Sequence, residues 1–428
     1  MIAASACGIC ACGSDERSNE PGTQPIEVQG GGVAGAALAG ELTVIVVDAI
    51  TGERLPGAAV EIGNESSRTN AEGVARLDVG AERPLAVNVD AAGYVHATWT
   101  GLEGAMLTVP LVPRGYRAPY ATVSGTLEGW ETLQPSGAGR YLRAVFEHSR
   151  RPDLDSLDTA VDRDGSEQVE CIKREGSEPC NFSLRVPVSR HTVFVTIAEA
   201  DAHGTTNDVT DDTFSVVSLG LAANLNLTAG GTTQGLRLPV RVSGTLGRVT
   251  VNPTRAPSLP VSVVGLPGIN VGGEILLFDA FPSAPEFLVP ARSEWPDAKL
   301  WSVATATDAA SDTRLRSFVR GVPPPEAGEG AVLQSGALRE APSVGSVAPG
   351  GITLAGADGL VQVRGYEADE LVLEAILLGS ARELEFPAGT APDSLTVTLY
   401  EAPLDPREMS LQAVRETAAS LSERTIAP

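Results

Sequence analysis

With 46 glycines and 30 prolines spread along 428 residues, this chain cannot be built from long helices. Proline removes a backbone donor and clashes with the preceding helical turn, and it is also kept out of central strands. What is left is short strands joined by many turns, so the expected fold class is all-β. The composition is 43% hydrophobic and 20% charged, enough apolar side chain to bury sizeable cores. At about 150 residues per domain the length implies roughly three domains. The 54 acidic residues outnumber 31 basic ones, giving a formal charge of −23, which repels nucleic-acid phosphates and anionic lipid headgroups. Nucleic acid is therefore excluded as a natural partner.

Three of the five cysteines, Cys7, Cys10 and Cys12, crowd the start, and the other two, Cys171 and Cys180, bracket a short polar loop. The opening run to Cys12 is small and apolar with no charge before Asp15. Ile9-Cys10-Ala11-Cys12 resembles a bacterial lipobox, which implies that residues 1–12 form a signal peptide and lipobox and that Cys12 becomes diacylated. The resemblance also implies an exported protein, with Gly13 after the acylated cysteine favouring the outer membrane. The alternative is a disordered tail with incidental cysteines. On the lipoprotein reading only Cys171 and Cys180 remain from the five, an even pair available for one disulfide outside the cytoplasm, with Cα atoms expected about 5.5 Å apart. Residues 13–40, rich in Gly, Ser, Pro and acid, read as a flexible tether.

From Glu41 apolar residues alternate with period two, as in Leu42-x-Val44-x-Val46, between turn signals. The ordered elements Asp48-x-x-Thr51-Gly52, Leu55-Pro56-Gly57-Ala58-Ala59-Val60, Thr69-Asn70-x-x-Gly73, Leu85-x-Val87-x-Val89 and Ala91-Ala92-Gly93-Tyr94 follow. This set resembles the carboxypeptidase regulatory-like domain, and the resemblance implies a small transthyretin-like β-sandwich over 41–113. The chain's only lysines, Lys173 and Lys299, lie outside this module, which rules out a Lys–Asn isopeptide cross-link there. A zinc carboxypeptidase half needs an H-x-x-E pair, and no histidine here is followed by glutamate at that spacing.

Beyond Pro113, Val123-Ser-Gly-Thr-Leu127 recurs as Val242-Ser-Gly-Thr-Leu246, implying a repeat of about 119 residues. Phe182–Pro187 followed by Val193–Asp201 parallels Phe287–Pro290 followed by Leu300–Asp308. Tandem strand-rich units without intervening helices point to antiparallel sandwiches. The expected modules are 114–239, 240–341 as its repeat, a β region at 342–403 entered through a turn-rich linker at 343–351, and a helix within 404–428. That helix takes Asp405 as N-cap, Pro406 first and Glu408 third, with Leu411, Val414, Ala418 and Leu421 on one stripe.

Chemistry-bearing motifs are sparse: there is no G-x-S-x-G elbow, H-E-x-x-H or phosphate-binding loop. Asp153, Asp155, Asp158, Asp162 and Asp164 form a weak candidate for calcium, outweighed by a solvated acidic loop because the EF-hand order is missing. Asp208, Asp211 and Asp212 carry the same signal. Trp99, Trp130, Trp295 and Trp301 are candidates for a sugar-stacking face but are better read as core anchors.

The expectation is therefore a non-catalytic, lipid-anchored cell-envelope protein, with no confident metal or cofactor, whose modules bind or space a protein or glycan partner. An accessory subunit of an envelope polysaccharide- or protein-processing system is the alternative, and an enzyme of unrecognised type the third. The spaced-array reading expects sequential units with few contacts across each boundary, and none of His96, His148, His191 or His203 within reach of both a nucleophile and a carboxylate.

Overall fold

The computed structural model describes residues 27–79, 85–151, 167, 169–176, 178–204, 211–254, 261–348, 350–355, 359–379, 381–387, 390, 392–402, 405 and 407–427. It is 59% strand and 4% helix, an all-β fold with one short helix near the C-terminal end. Among the described residues no helix is long and apolar enough to cross a membrane.

The first sandwich holds β1 (Gly32–Ala37), β2 (Glu41–Asp48), β3 (Ala59–Ile62), β4 (Glu65–Arg68), β5 (Val74–Asp78), β6 (Ala86–Asp90), β7 (His96–Thr100) and β8 (Gly104–Leu111). The second runs through β9 (Tyr120–Glu128), β10 (Arg140–His148), β11 (Glu170–Lys173), β12 (Asn181–Pro187), β13 (Ser189–Asp201), β14 (Thr213–Leu227) and β15 (Thr232–Pro239). The third comprises β16 (Leu246–Asn252), β17 (Val264–Val271), β18 (Glu274–Leu277), β19 (Phe287–Pro290), β20 (Lys299–Asp308), β21 (Thr313–Val322) and β22 (Gly330–Gln334). The fourth contains β23 (Ser343–Ala348), β24 (Gly351–Ala355), β25 (Leu360–Glu367), β26 (Glu370–Leu377), β27 (Glu383–Glu385), β28 (Ser394–Glu401), β29 (Met409–Ser410), α1 (Leu411–Thr417) and β30 (Ser420–Ile426).

One strand order recurs. In β2–β8, β9–β15 and β16–β22 alike, the first strand lies between the fourth and the seventh, and the other four pair in the order third, second, fifth, sixth. The first and seventh strands run parallel in all three, as β2 with β8, β9 with β15 and β16 with β22. The fourth sandwich keeps the pattern with β24 as its first strand, but the place beside it is filled by β23, running antiparallel. The duplicated sequence pairs fall on matching strands in two cases, β12 with β19 and β13 with β20. The third case does not match: Val123–Leu127 lies inside β9, whereas Ser243–Thr245 form a 3-10 turn ahead of β16.

Motif residues of the first sandwich are spent on its turns. The Asp48 carboxylate accepts the amides of Ile50 (2.7 Å) and Thr51 (2.9 Å) and the Tyr94 hydroxyl (2.9 Å). Burial alone would raise the Asp48 pKa, but these donors outweigh it and hold the carboxyl below its ordinary value. Thr69 Oγ1 donates to the Leu55 carbonyl and accepts the Ala58 amide, while Asn70 Oδ1 accepts the amides of Glu72 and Val74. Gly73, at φ 68°, has no room for a Cβ, which would fall 2.7 Å from Cβ of Arg54.

Three local expectations are corrected. The end of the supposed tether forms β1, which pairs with β8 and buries Val33. The turn-rich linker at 343–351 is the β23–β24 hairpin. The helix starts six residues after Asp405: Ser410 is its cap, Oγ accepting the Ala413 amide, because Met409 and Ser410 are drawn into pairing with β1. Ala418 ends it, and Leu421 lies in β30, which fills the gap between β21 and β28. Sheet pairing there overrides the helical stripe.

The expectation of loosely connected units also fails. The four-stranded sheets of the third, fourth and first sandwiches join edge to edge into one 12-stranded sheet, through β21 with β30 and the parallel pair β26 with β7. Trp99, buried on β7, sits opposite Ile376 of β26. Arg320 Nη1 donates to the terminal carbonyls of α1 at Thr417 and Ala418, and its guanidinium lies 4.7 Å from the Trp301 ring centre. The second sandwich keeps its own sheets and packs on the third by aromatic contacts, Phe194 on Phe278 at 5.6 Å and Phe214 on Phe281 at 5.1 Å. One apolar core consequently runs through residues of all four sandwiches.

Candidate functional site

Polar chemistry concentrates where the second sandwich meets the third. β10 ends at His148, and the chain then forms a two-way backbone bridge, Arg150 and Ile275 exchanging amide-to-carbonyl bonds of 2.8 Å. The bridge brings Ser149 and Arg150 beside Glu274 of β18 and beside Asp279, and β13 supplies Ser189, His191 and Thr192.

Both imidazoles converge on one carbonyl. His148 Nδ1 lies 2.9 Å and His191 Nδ1 3.0 Å from the Ser149 oxygen, which can only accept, so each ring must carry its proton on Nδ1. Nε2 of His191 is then an acceptor, and the Ser189 hydroxyl donates to it at 3.0 Å. The Ser149 hydroxyl, fully buried, donates to Glu274 Oε2 at 2.7 Å and accepts the Thr192 amide at 2.8 Å. Arg150 Nη2 donates to Asp279 Oδ2 at 2.9 Å, with both side chains buried. Beside this pair lies a cleft of about 300 Å³ lined by Arg143, Glu147, Asp279 and Thr305 among others.

His191 meets two hydroxyls, those of Ser149 and Ser189, but among the described residues no carboxylate bonds to it directly, Glu274 being reached only through the Ser149 hydroxyl. Ser149 is sealed from solvent and already committed to Glu274, which makes it a fastener. Ser189 is exposed. His96 is half-buried with Nδ1 3.9 Å from Asp90, and His203 is exposed with Nε2 3.2 Å from the Thr213 hydroxyl.

Burial pushes the His148 pKa down to about 4, and burial likewise lowers His191. A histidine whose folded value is depressed binds protons better unfolded, so its stabilising contribution is complete above the ordinary value of 6.5 and declines as pH falls towards about 4. The expected loss from His148 alone is about 2 kcal/mol by pH 5. Urea midpoints at pH 7.5 and 5 measure it; in His148→Gln the difference between them should shrink, and an unchanged difference would refute the assignment.

Other sequence candidates resolve as follows. Cys171 and Cys180 are disulfide-bonded, their Cα atoms 5.8 Å apart. Lys173, two residues on, is buried and donates from Nζ to the carbonyls of Trp130, Glu131 and Leu133 at 3.1, 3.1 and 2.7 Å, a lock that the sequence did not advertise. Trp99, Trp130 and Trp301 are buried and Trp295 is half-buried. Cys12, Asp208 and the acidic set Asp153, Asp155, Asp158, Asp162 and Asp164 lie outside the described residues. Asp212 accepts the Tyr141 hydroxyl; burial and that bond push the Tyr141 pKa up to about 12. Among the described residues no group of three or more potential ligands is placed to hold a metal ion.

No family model matches the chain, and no curated protein matches it. Among solved structures it is similar to the Bacillus anthracis TIE protein at 12% identity and a TM-score of 0.15, over 70% of this chain and 50% of that one. The chain thus spans half the length of that protein, and a likeness this weak carries no argument about fold or function.

Proposed function

We propose that this chain is an exported, lipid-anchored envelope protein, held at Cys12, whose joined β-sandwiches present a rigid binding surface to a protein or glycan partner and catalyse no reaction. The observation that carries this reading is the 12-stranded sheet, which fixes three sandwiches in one frame and turns separate modules into a platform. The Cys171–Cys180 bond supports an oxidising compartment outside the cytoplasm. The use of Asp48, Thr69 and Asn70 on turns supports reading 41–113 as a carboxypeptidase regulatory-like scaffold module. An accessory subunit of an envelope polysaccharide- or protein-processing system would use the same platform beside an enzyme.

Cells expressing the full gene should carry the protein in the membrane fraction, with Cys12→Ala moving it to the soluble exported fraction. Mass spectrometry of the mature N-terminus is the check: an unmodified peptide spanning residues 7–14 would remove the anchor. A second reading, as a hydrolase, is favoured by the exposed Ser189 hydroxyl on His191 Nε2. Ser189-dependent labelling by a fluorophosphonate would establish it and displace the non-catalytic reading.

A further inference from the structure

We propose that the cleft between the first and fourth sandwiches binds a neutral oligosaccharide, an inference that rests on the envelope-binding reading and names its ligand class. The cleft measures about 450 Å³ and is lined by Tyr116, Arg117, Tyr366, Asp369 and Glu370. That volume lies in the usual range of small-ligand sites. Tyr116 is 41% exposed, one of six large apolar side chains left open among the described residues. The hydroxyl of Tyr116, the guanidinium of Arg117 and the carboxylates of Asp369 and Glu370 have no intramolecular partner among the described residues, in contrast with the paired Arg and Glu side chains elsewhere on this surface.

The walls are held rigid. Tyr116 follows a turn in which its amide donates to the Pro113 carbonyl at 3.1 Å, and Arg114 donates to Gly93 and Tyr94 carbonyls. Across the cleft, Ala368 and Asp369 form the β25–β26 turn at φ 48° and 66°, a left-handed pair that favours Asn-Gly and is strained for alanine. Asp393 ties it down, accepting the Ala368 amide at 3.0 Å and donating to the Tyr366 carbonyl at 2.7 Å. The parallel β26–β7 junction sets the relation between the two walls.

The chemistry selects the ligand. An open aromatic ring offers a flat apolar face for the C–H side of a sugar ring, while carboxylates accept from hydroxyls and a guanidinium donates to them. Side chains of both signs disfavour a polyanion and a polycation alike, and the overall charge of −23 further repels acidic polysaccharide.

Calorimetric titration of the full mature protein with cellohexaose, maltohexaose and chitohexaose, and with hexagalacturonate as the acidic counterpart, tests the proposal. At least one neutral hexasaccharide should bind, Tyr116→Ala should weaken it about tenfold, and Tyr116→Phe should retain most of the affinity, with unchanged thermal unfolding in both. No neutral binding at millimolar concentration, equal binding by Tyr116→Ala, or preference for hexagalacturonate would overturn it. Loss of the site in these titrations leaves the membrane fractionation of Cys12→Ala untouched, so failure of the glycan site and failure of the envelope reading are separate results.

Discussion

Arg150→Ala should lower the unfolding free energy by about 3–5 kcal/mol, because it leaves the Asp279 carboxylate buried without its guanidinium. Both side chains are under one-tenth exposed, so the pair is largely screened from water. The double variant Arg150→Met with Asp279→Leu should recover most of the loss, since paired apolar replacements remove the charge along with its need for a partner. Urea unfolding followed by circular dichroism, with limited proteolysis to report release of the second sandwich from the third, distinguishes the two variants. A change below about 1 kcal/mol in Arg150→Ala would mean that the pair behaves as a surface ion pair.

Gly101→Ala should disrupt the junction between the first and fourth sandwiches. Gly101 sits just after β7 at φ 78°, and a Cβ there would lie 2.2 Å from the Leu378 carbonyl oxygen, where Leu378 donates its amide to Thr100. A side chain pays for left-handed backbone with about 1–2 kcal/mol and for displacing packed neighbours with a further 1–3, so a total loss of about 3 kcal/mol is expected. Hydrogen exchange should quicken in 96–100 and 371–377 together. Local protection that survives in both segments would show that the backbone absorbs the methyl elsewhere.

The parts of this fold that were legible in the sequence are those written by near neighbours. Alternation at Leu42, Val44 and Val46 marks β2, and the turn glycines Gly52, Gly57, Gly73 and Gly93 all take positive φ. Local pattern also misleads where two structures share it: Leu411, Val414, Ala418 and Leu421 satisfy a helical stripe, yet Leu421 is buried as a strand residue opposite Tyr400. The two Val-Ser-Gly-Thr-Leu copies are out of structural register, one inside β9 and the other leading into β16, whereas Pro187 and Pro290 occupy equivalent strand ends, paired with Tyr120 and Leu246. The candidate sites were illegible because their members are remote. Ser149 and Glu274 are 125 residues apart, and Tyr116 meets the 366–371 turn only because β7 pairs with β26. Three of the four tryptophans are buried and Trp295 is half-buried, whereas Tyr116, beside a turn, leaves its ring open.

In the second and third sandwiches the strand by which the chain enters lies parallel to, and bonded with, the strand by which it leaves. A pull on the two ends of such a unit slides these neighbours past one another, loading their hydrogen bonds together; antiparallel neighbours pulled from a shared end would peel open one bond at a time. A force applied at the two ends of either of these units therefore meets the more resistant of the two geometries.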